Sequence, residues 1–202
     1  MQCIVFTDSK RLAAKYRAMQ QEVLLLLQRN LEVNLDIEFL ILDAADYKEE
    51  LGSNPSYTEY KKVLADFMLG MGISPSPKLS LFIVGGDDVI PMPRIVSPIN
   101  EEELLQADML YCFNDEGLNS LDASKARCNV GRLPLESGSL PSKLHDDLQS
   151  YFNLSNMVLN NGIKVENVLM TSTESWLPAS NDMVRGLPTN VLPHIFEATN
   201  EN

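Results

Sequence analysis

The sequence predicts an α/β fold, a doubly wound and mostly parallel sheet with helices on both faces. Three apolar runs of strand length, Cys3–Phe6, Ile37–Leu42 and Leu79–Val84, alternate with two stretches in which apolar residues recur at helical spacing. The runs are nearly continuous in apolar character, which suits strands covered on both faces. Right-handed crossovers in a βαβαβ order then place helices on opposite sides of the sheet.

Each element has a local reason. The first strand stops at Thr7-Asp8-Ser9, residue types that cap helix N-termini. A single helix is expected from Ser9 to about Arg29, with Leu12, Tyr16, Met19, Val23, Leu26 and Leu27 on one face and Lys10, Arg17, Gln20 and Gln28 on the other. Asn54-Pro55-Ser56 is a turn that opens a second helix, whose stripe is Tyr60, Val63, Leu64, Phe67 and Met68 and whose end is marked by Gly70 and Gly72. Ser74 to Pro77 is a short stiff connector into the third strand, and Gly85 to Asn100 reads as a long ordered loop beyond that strand's end. Met109–Phe113 and Cys128–Leu133 read as short strands flanking an exposed excursion from Asn114 to Lys125. A third helix from about Ser142 to Leu159 and a strand at Val165–Met170 follow. Beyond these, Pro178, Gly186, Pro188 and Pro193 break the pattern. The chain is therefore expected to divide into an α/β region over residues 1–172 and an irregular tail over residues 173–202.

Composition limits the function. With 45% apolar and 22% charged residues, the chain is of ordinary globular type. No stretch approaches the ~18 continuous apolar residues that cross a bilayer, and the N-terminus lacks the basic, apolar, small-residue order of a secretory leader. The cysteines Cys3, Cys112 and Cys128 are odd in number and widely spaced, which argues against a disulfide framework or zinc site and for a reducing, cytoplasmic setting. A net charge of -12 speaks against nucleic acid and anionic membrane surfaces as partners.

Few residues offer chemistry. Nucleophilic catalysis needs a Cys or Ser beside a base, and the only histidines are His145, within an amphipathic helix, and His194, in the tail. Cys128 lies inside an apparent strand, where a buried structural thiol is the simpler reading. Gly85-Gly86 follows a buried strand as a phosphate loop would, but the spacing of the known glycine-rich motifs is absent and Asp87-Asp88 would repel a phosphate. No cofactor is expected. Asp87 and Asp88 at a strand end, with Asp108 and Asp115 later, are candidate oxygen ligands for Mg²⁺ or Ca²⁺. The competing reading is structural: Asp87 or Asp88 accepts backbone N–H bonds and fixes the loop around Ile90-Pro91.

Three segments in order carry a family resemblance. Leu81 to Pro91 resembles the "LLVGD…IP" signature of gingipain-type cysteine peptidases of the caspase-like clan. Ala107 to Tyr111 is similar to that family's "sDxxY" segment, and Val130 to Ser137 to its "vGRlPv.s" segment. The likeness spans roughly Leu79 to Ser172. It implies a caspase-like sheet, incomplete at its C-terminal side, in a cysteine endopeptidase that acts on protein substrates. In the family, the catalytic His follows a Gly-His-Gly-like turn and the catalytic Cys comes later. Gly-His-Gly does not occur here, so no catalytic residue is carried over to this chain. The expectation is a non-catalytic N-terminal half, a truncation or processed fragment, that partners the C-terminal catalytic half. The alternative is a stand-alone pseudo-enzyme or protein-interaction module. Apolar tail residues, among them Trp176, Leu177, Ile195 and Phe196, are expected to leave a surface where the C-terminal half would dock.

Overall fold

Short β-branched runs punctuated by capping residues fold where their pattern requires. A computed structural model describes residues 2–31, 37–47, 51–52, 54–76, 78–96, 104–112, 128–135, 140–161, 167–172 and 192–197. The chain enters as β1 (Gln2–Thr7), and Asp8 then caps α1 (Ser9–Tyr16) by accepting a hydrogen bond from the Arg11 N–H at 2.9 Å. The expected single helix is in fact two. Arg17 adopts a left-handed conformation, φ 52°, and the Ala18 N–H reaches back to the Ala13 carbonyl at 2.9 Å, which closes α1 before α2 (Gln20–Leu31) begins. Met19 sits at this break and is exposed, whereas Leu12, Tyr16, Val23 and Leu27 of the same stripe are buried.

β2 (Glu38–Asp43) leads into a 3₁₀ turn, Ala44–Asp46, capped by the Asp43 side chain. α3 (Tyr57–Gly70) starts on a capping box in which the Glu59 carboxylate accepts hydrogen bonds from the Ser56 N–H at 2.7 Å and the Ser56 hydroxyl at 2.8 Å. β3 (Leu79–Val84) follows. The loop after β3 contains a short antiparallel pair, β4 (Arg94–Val96) and β5 (Leu104–Gln106), that the lack of periodicity hid. The expected strand at Met109–Phe113 is instead a 3₁₀ turn, Asp108–Cys112. β6 (Asn129–Leu133) and α4 (Pro141–Asn161) complete this part; the excursion from Asn114 to Lys125 lies outside the described residues.

β1, β2, β3 and β6 form one sheet in the order β2-β1-β3-β6, every neighbouring pair parallel. Phe82 pairs with Val5 in register, so Phe82 and Phe6 face opposite sides. Phe6 meets Tyr60 of α3 edge-on at 6.1 Å, and Phe82 stacks on Tyr151 of α4 at 5.5 Å. Helices therefore cover both faces, as the doubly wound expectation requires. Ile4, Phe6, Ile83, Leu12, Leu27, Leu144 and Leu148 belong to one continuous core.

The backbone divides into two compact units, Met1–Leu154 and Ser155–Asn202, with the division inside α4. In the second unit β7 (Asn167–Ser172) pairs in parallel with β8 (Leu192–Glu197) as a separate two-stranded sheet. The stretch expected to be irregular thus holds a strand, whose Pro193 obscured its extended pattern. Trp176 and Leu177 lie outside the described residues.

The cysteine expectation is corrected. Cys112 and Cys128 form a disulfide, with sulfurs 2.06 Å and Cα atoms 5.5 Å apart, and Cys3 is the free, buried thiol among the described residues. Spacing along the chain hid the pair, because it forms only when the turn at Asp108–Cys112 is laid beside the start of β6. The argument from unpaired thiols to a reducing compartment falls with it.

Replacing Phe6, fully buried between Tyr60 and Tyr111, by Ala is expected to destabilise the chain by about 3–5 kcal/mol in urea unfolding. A loss under about 1 kcal/mol would mean that the sheet and α3 do not share one core.

Candidate functional site

A parallel sheet in the order β2-β1-β3-β6 has its topological switch between β1 and β3, and the loops at the carboxyl ends of these strands are where such folds bind and react. Here that edge is built by Thr7 at the end of β1 with Asp8-Ser9 after it, Asp43 at the end of β2, Gly85 to Pro91 after β3, and Pro134-Leu135 after β6. The Thr7 hydroxyl donates to the Val84 carbonyl at 2.9 Å and closes the crevice between β1 and β3.

One buried cation organises the β3 side of this edge. The Arg132 side chain, only 5% exposed, donates from Nε to Asp108 Oδ2 and from Nη2 to Asp108 Oδ1, both at 2.7 Å. Its Nη1 donates to the carbonyls of Gly85 at 2.8 Å, Ile90 at 2.8 Å and Gly86 at 3.3 Å. The planar fork suits this arrangement, since two of its nitrogens serve a carboxylate along one edge while the third faces backbone oxygens. Tyr111 adds a second fastener by donating its hydroxyl to the Pro91 carbonyl at 2.7 Å. Burial raises the Tyr111 phenol far above its ordinary value, with the Arg132 charge opposing and Asp108 reinforcing, so it stays a donor.

The loop is shaped to reach this cation. Gly85 has φ 126°, and a Cβ there would lie 2.6 Å from the Val89 side chain, so only glycine fits. A Cβ at Gly86 would press on the Pro134 carbonyl at 3.0 Å. Lys15 of α1 holds the other side, donating to the Leu135 carbonyl at 3.0 Å where that buried residue takes the left-handed φ of 49°.

The three acidic candidates for a metal site each face a different cation. Asp87 accepts from the Met92 N–H and pairs with Arg94 at 2.6 Å; Asp88 pairs with Lys15 at 3.0 Å; Asp108 is held by Arg132. Among the described residues no three His, Cys, Asp or Glu side chains gather to hold an ion, and Asp115 lies outside them. The bond from Met92 to Asp87 is a loop-fixing contact of the kind the structural reading anticipates.

A second polar cluster lies at the ends of β1 and β2. The Tyr60 hydroxyl donates to Asp8 Oδ2 at 2.7 Å, and Asp43 accepts from the Ser9 N–H at 2.9 Å and from the Ser9 hydroxyl. All four residues are buried. Burial, then the bond to Asp8, pushes the Tyr60 phenol well above its usual range. These carboxylates also cap α1 and the Ala44–Asp46 turn, so their oxygens are shared between backbone N–H groups and the Tyr60 and Ser9 hydroxyls.

Among the described side chains of the first unit, nucleophile and base candidates do not meet. Cys112 and Cys128 are bonded to each other, and burial pushes the Cys3 thiol up to about 11, where it is a poor nucleophile. His145 is exposed on α4, 3.5 Å from Asp146, and His194 falls in β8 of the second unit. Sequence reasoning passed over Arg132 as a site residue. Its signal was an arginine inside a buried-strand pattern, which demands a partner wherever the chain folds. Compared with models of known protein families and with curated proteins, the chain matches none. Among the described residues no helix is long and apolar enough to cross a membrane.

Arg132→Met is expected to cost about 3–5 kcal/mol, because Asp108 and three carbonyls lose their donor together. Arg132→Lys should recover only part of this, since an ammonium is a point charge and not a fork. Urea denaturation followed by circular dichroism decides, and full recovery by lysine would show that charge alone matters. Cys3 gives a pH test. Its thiol rises from an ordinary 9.0 to about 11 on folding, so its contribution is complete below pH 9 and disappears as pH climbs toward 11. Cys3→Ala should therefore lose less stability than the parent between pH 9 and 11, read as Tm; parallel curves would contradict the buried-thiol account.

Proposed function

We propose that this chain is the non-catalytic N-terminal part of a caspase-like cysteine endopeptidase, a scaffold whose strand-end loops are locked before any catalytic residue is added. One observation supports this above others. The three segments on which the gingipain-type resemblance rests, far apart in sequence, converge on the Arg132 guanidinium: Gly85, Gly86 and Ile90 from the first, Asp108 from the second, Arg132 from the third. Motifs that persist as a set have a physical reason to do so when each completes the others' hydrogen bonds.

In such an enzyme a Cys thiolate attacks the peptide carbonyl, a His moves the protons and backbone N–H groups hold the oxyanion. On this reading both catalytic side chains come from outside residues 1–202. The chain supplies a rigid platform for a C-terminal catalytic half that acts on protein substrates. The edge described above fits that division, because its carboxylates and carbonyls are engaged by arginine, lysine, hydroxyl and backbone donors of the same chain.

The 202-residue chain is expected to turn over no member of a fluorogenic peptide library. The gene product that carries it is expected to cleave, and to lose cleavage when a cysteine outside this stretch is alkylated. A gene product with neither such a cysteine nor cleavage would leave the interaction-module reading in its place. Turnover by the chain itself, abolished by Cys128→Ala, would move the nucleophile into it.

A further inference from the structure

Two fasteners join the same pair of segments. Asp108 and Cys112 are the first and last residues of one 3₁₀ turn, while Cys128 precedes β6 and Arg132 lies within it. Asp108 pairs with Arg132 and Cys112 with Cys128, so an ionic bond closes one end of the contact and a covalent bond closes the other. The ionic end continues inward, since Arg132 also carries the carbonyls of Gly85, Gly86 and Ile90. We propose that Cys112–Cys128 is a thiol–disulfide exchange site through which a dithiol reductant releases the 3₁₀ turn from β6 and thereby loosens the Arg132 clamp on the loop after β3.

The geometry gives the reductant a route. Cys112 is buried, Cys128 is half-buried, and both line an apolar cavity of about 270 Å³ whose walls include Leu64, Met68, Leu79 and Leu81. An incoming thiolate therefore meets Cys128 first. Attack on its sulfur breaks the S–S bond, leaves a mixed disulfide on Cys128 and expels Cys112 as a thiolate that takes up a proton. The second thiol of the reductant then attacks the mixed disulfide and frees Cys128, which is also protonated. Two electrons pass to the protein, and the reductant leaves as its own disulfide.

Opening the bond restores freedom to the 16-residue separation it closed, and leaves the Asp108–Arg132 ion pair at the other end of the turn. Among the described residues Asp108 is the carboxylate on Arg132, so fraying of the turn withdraws the counter-charge from a buried guanidinium. The loop from Gly85 to Pro91, gathered on that guanidinium, loosens with it. The inference is independent of the peptidase reading, because it uses only residues of this chain.

Thiol titration in denaturant should find one reactive thiol of the three before dithiothreitol treatment and three afterwards. Hydrogen exchange of the native chain in the two states then tests the coupling. In the reduced state the amides of Val89, Ile90 and Met92, now bonded to Gly86 and Asp87, should exchange about tenfold faster, while those of β1 and β2 keep their rates. Reoxidation should restore the slow pattern. A Cys112→Ser, Cys128→Ser variant should show the reduced pattern without reductant, and where it does not fold the wild-type comparison decides. Three free thiols at the outset would overturn the proposal. So would unchanged exchange at Val89 and Ile90, or equal acceleration throughout, which would make the bond a global staple only.

Discussion

A guanidinium buried at the end of a parallel sheet must satisfy its donors inside the protein, and that requirement organises the loop after β3 and the turn beside β6. Arg132 meets it with one carboxylate and three backbone carbonyls. Those carbonyls belong to a loop that would otherwise leave β3 with unpaired acceptors in an apolar setting. The cation and the loop are each costly alone and tolerable together, which is why the turn at Asp108–Cys112 is drawn against β6. Gly85 belongs to the same constraint, since no Cβ fits beneath Val89 when the Gly85 carbonyl faces Arg132.

The aromatic contacts carry that order into the core. Tyr111 donates to Pro91 at the clamp while its ring packs edge-on against Phe6 and Tyr57. Phe6 in turn meets Tyr60, whose hydroxyl is held by Asp8 at the end of β1. A chain of ring contacts thus links the β3–β6 side of the sheet to the cap of α1. Polar fastening at one edge and apolar packing beneath it are parts of one unit, so a change at either is felt at the other. At this edge Arg132 and Tyr111 hold backbone carbonyls from within, while Asp87, Asp88 and Arg94 remain partly open to solvent.

How much was legible varied with the range of the interaction. β3 was read to the residue, and α3 was read closely from its turn, its stripe and its closing glycines, because each depends on neighbours a few positions away. The break between α1 and α2 was missed, since the apolar stripe runs through it and only the left-handed Arg17 interrupts the backbone. The 3₁₀ turn at Asp108–Cys112 was mistaken for a strand because Met109, Leu110 and Tyr111 are apolar in succession, a pattern that a buried turn and a buried strand share. β4 and β5 are too short to show a period at all.

The site divides in the same way. Apolar periodicity and capping chemistry, both local, determined from the sequence alone that the chain is α/β with helices on both sides of a parallel sheet. The family resemblance, and not periodicity, marked the three segments around Gly85, Asp108 and Arg132 as worth reading together. What those segments do was decided only in three dimensions. Whether Asp108 faces a metal or an arginine, and whether Cys112 meets Cys128, depends on which turn is laid beside which strand. That choice is made by a buried charge seeking acceptors from residues more than twenty positions away in the chain, and no periodicity along the sequence records it.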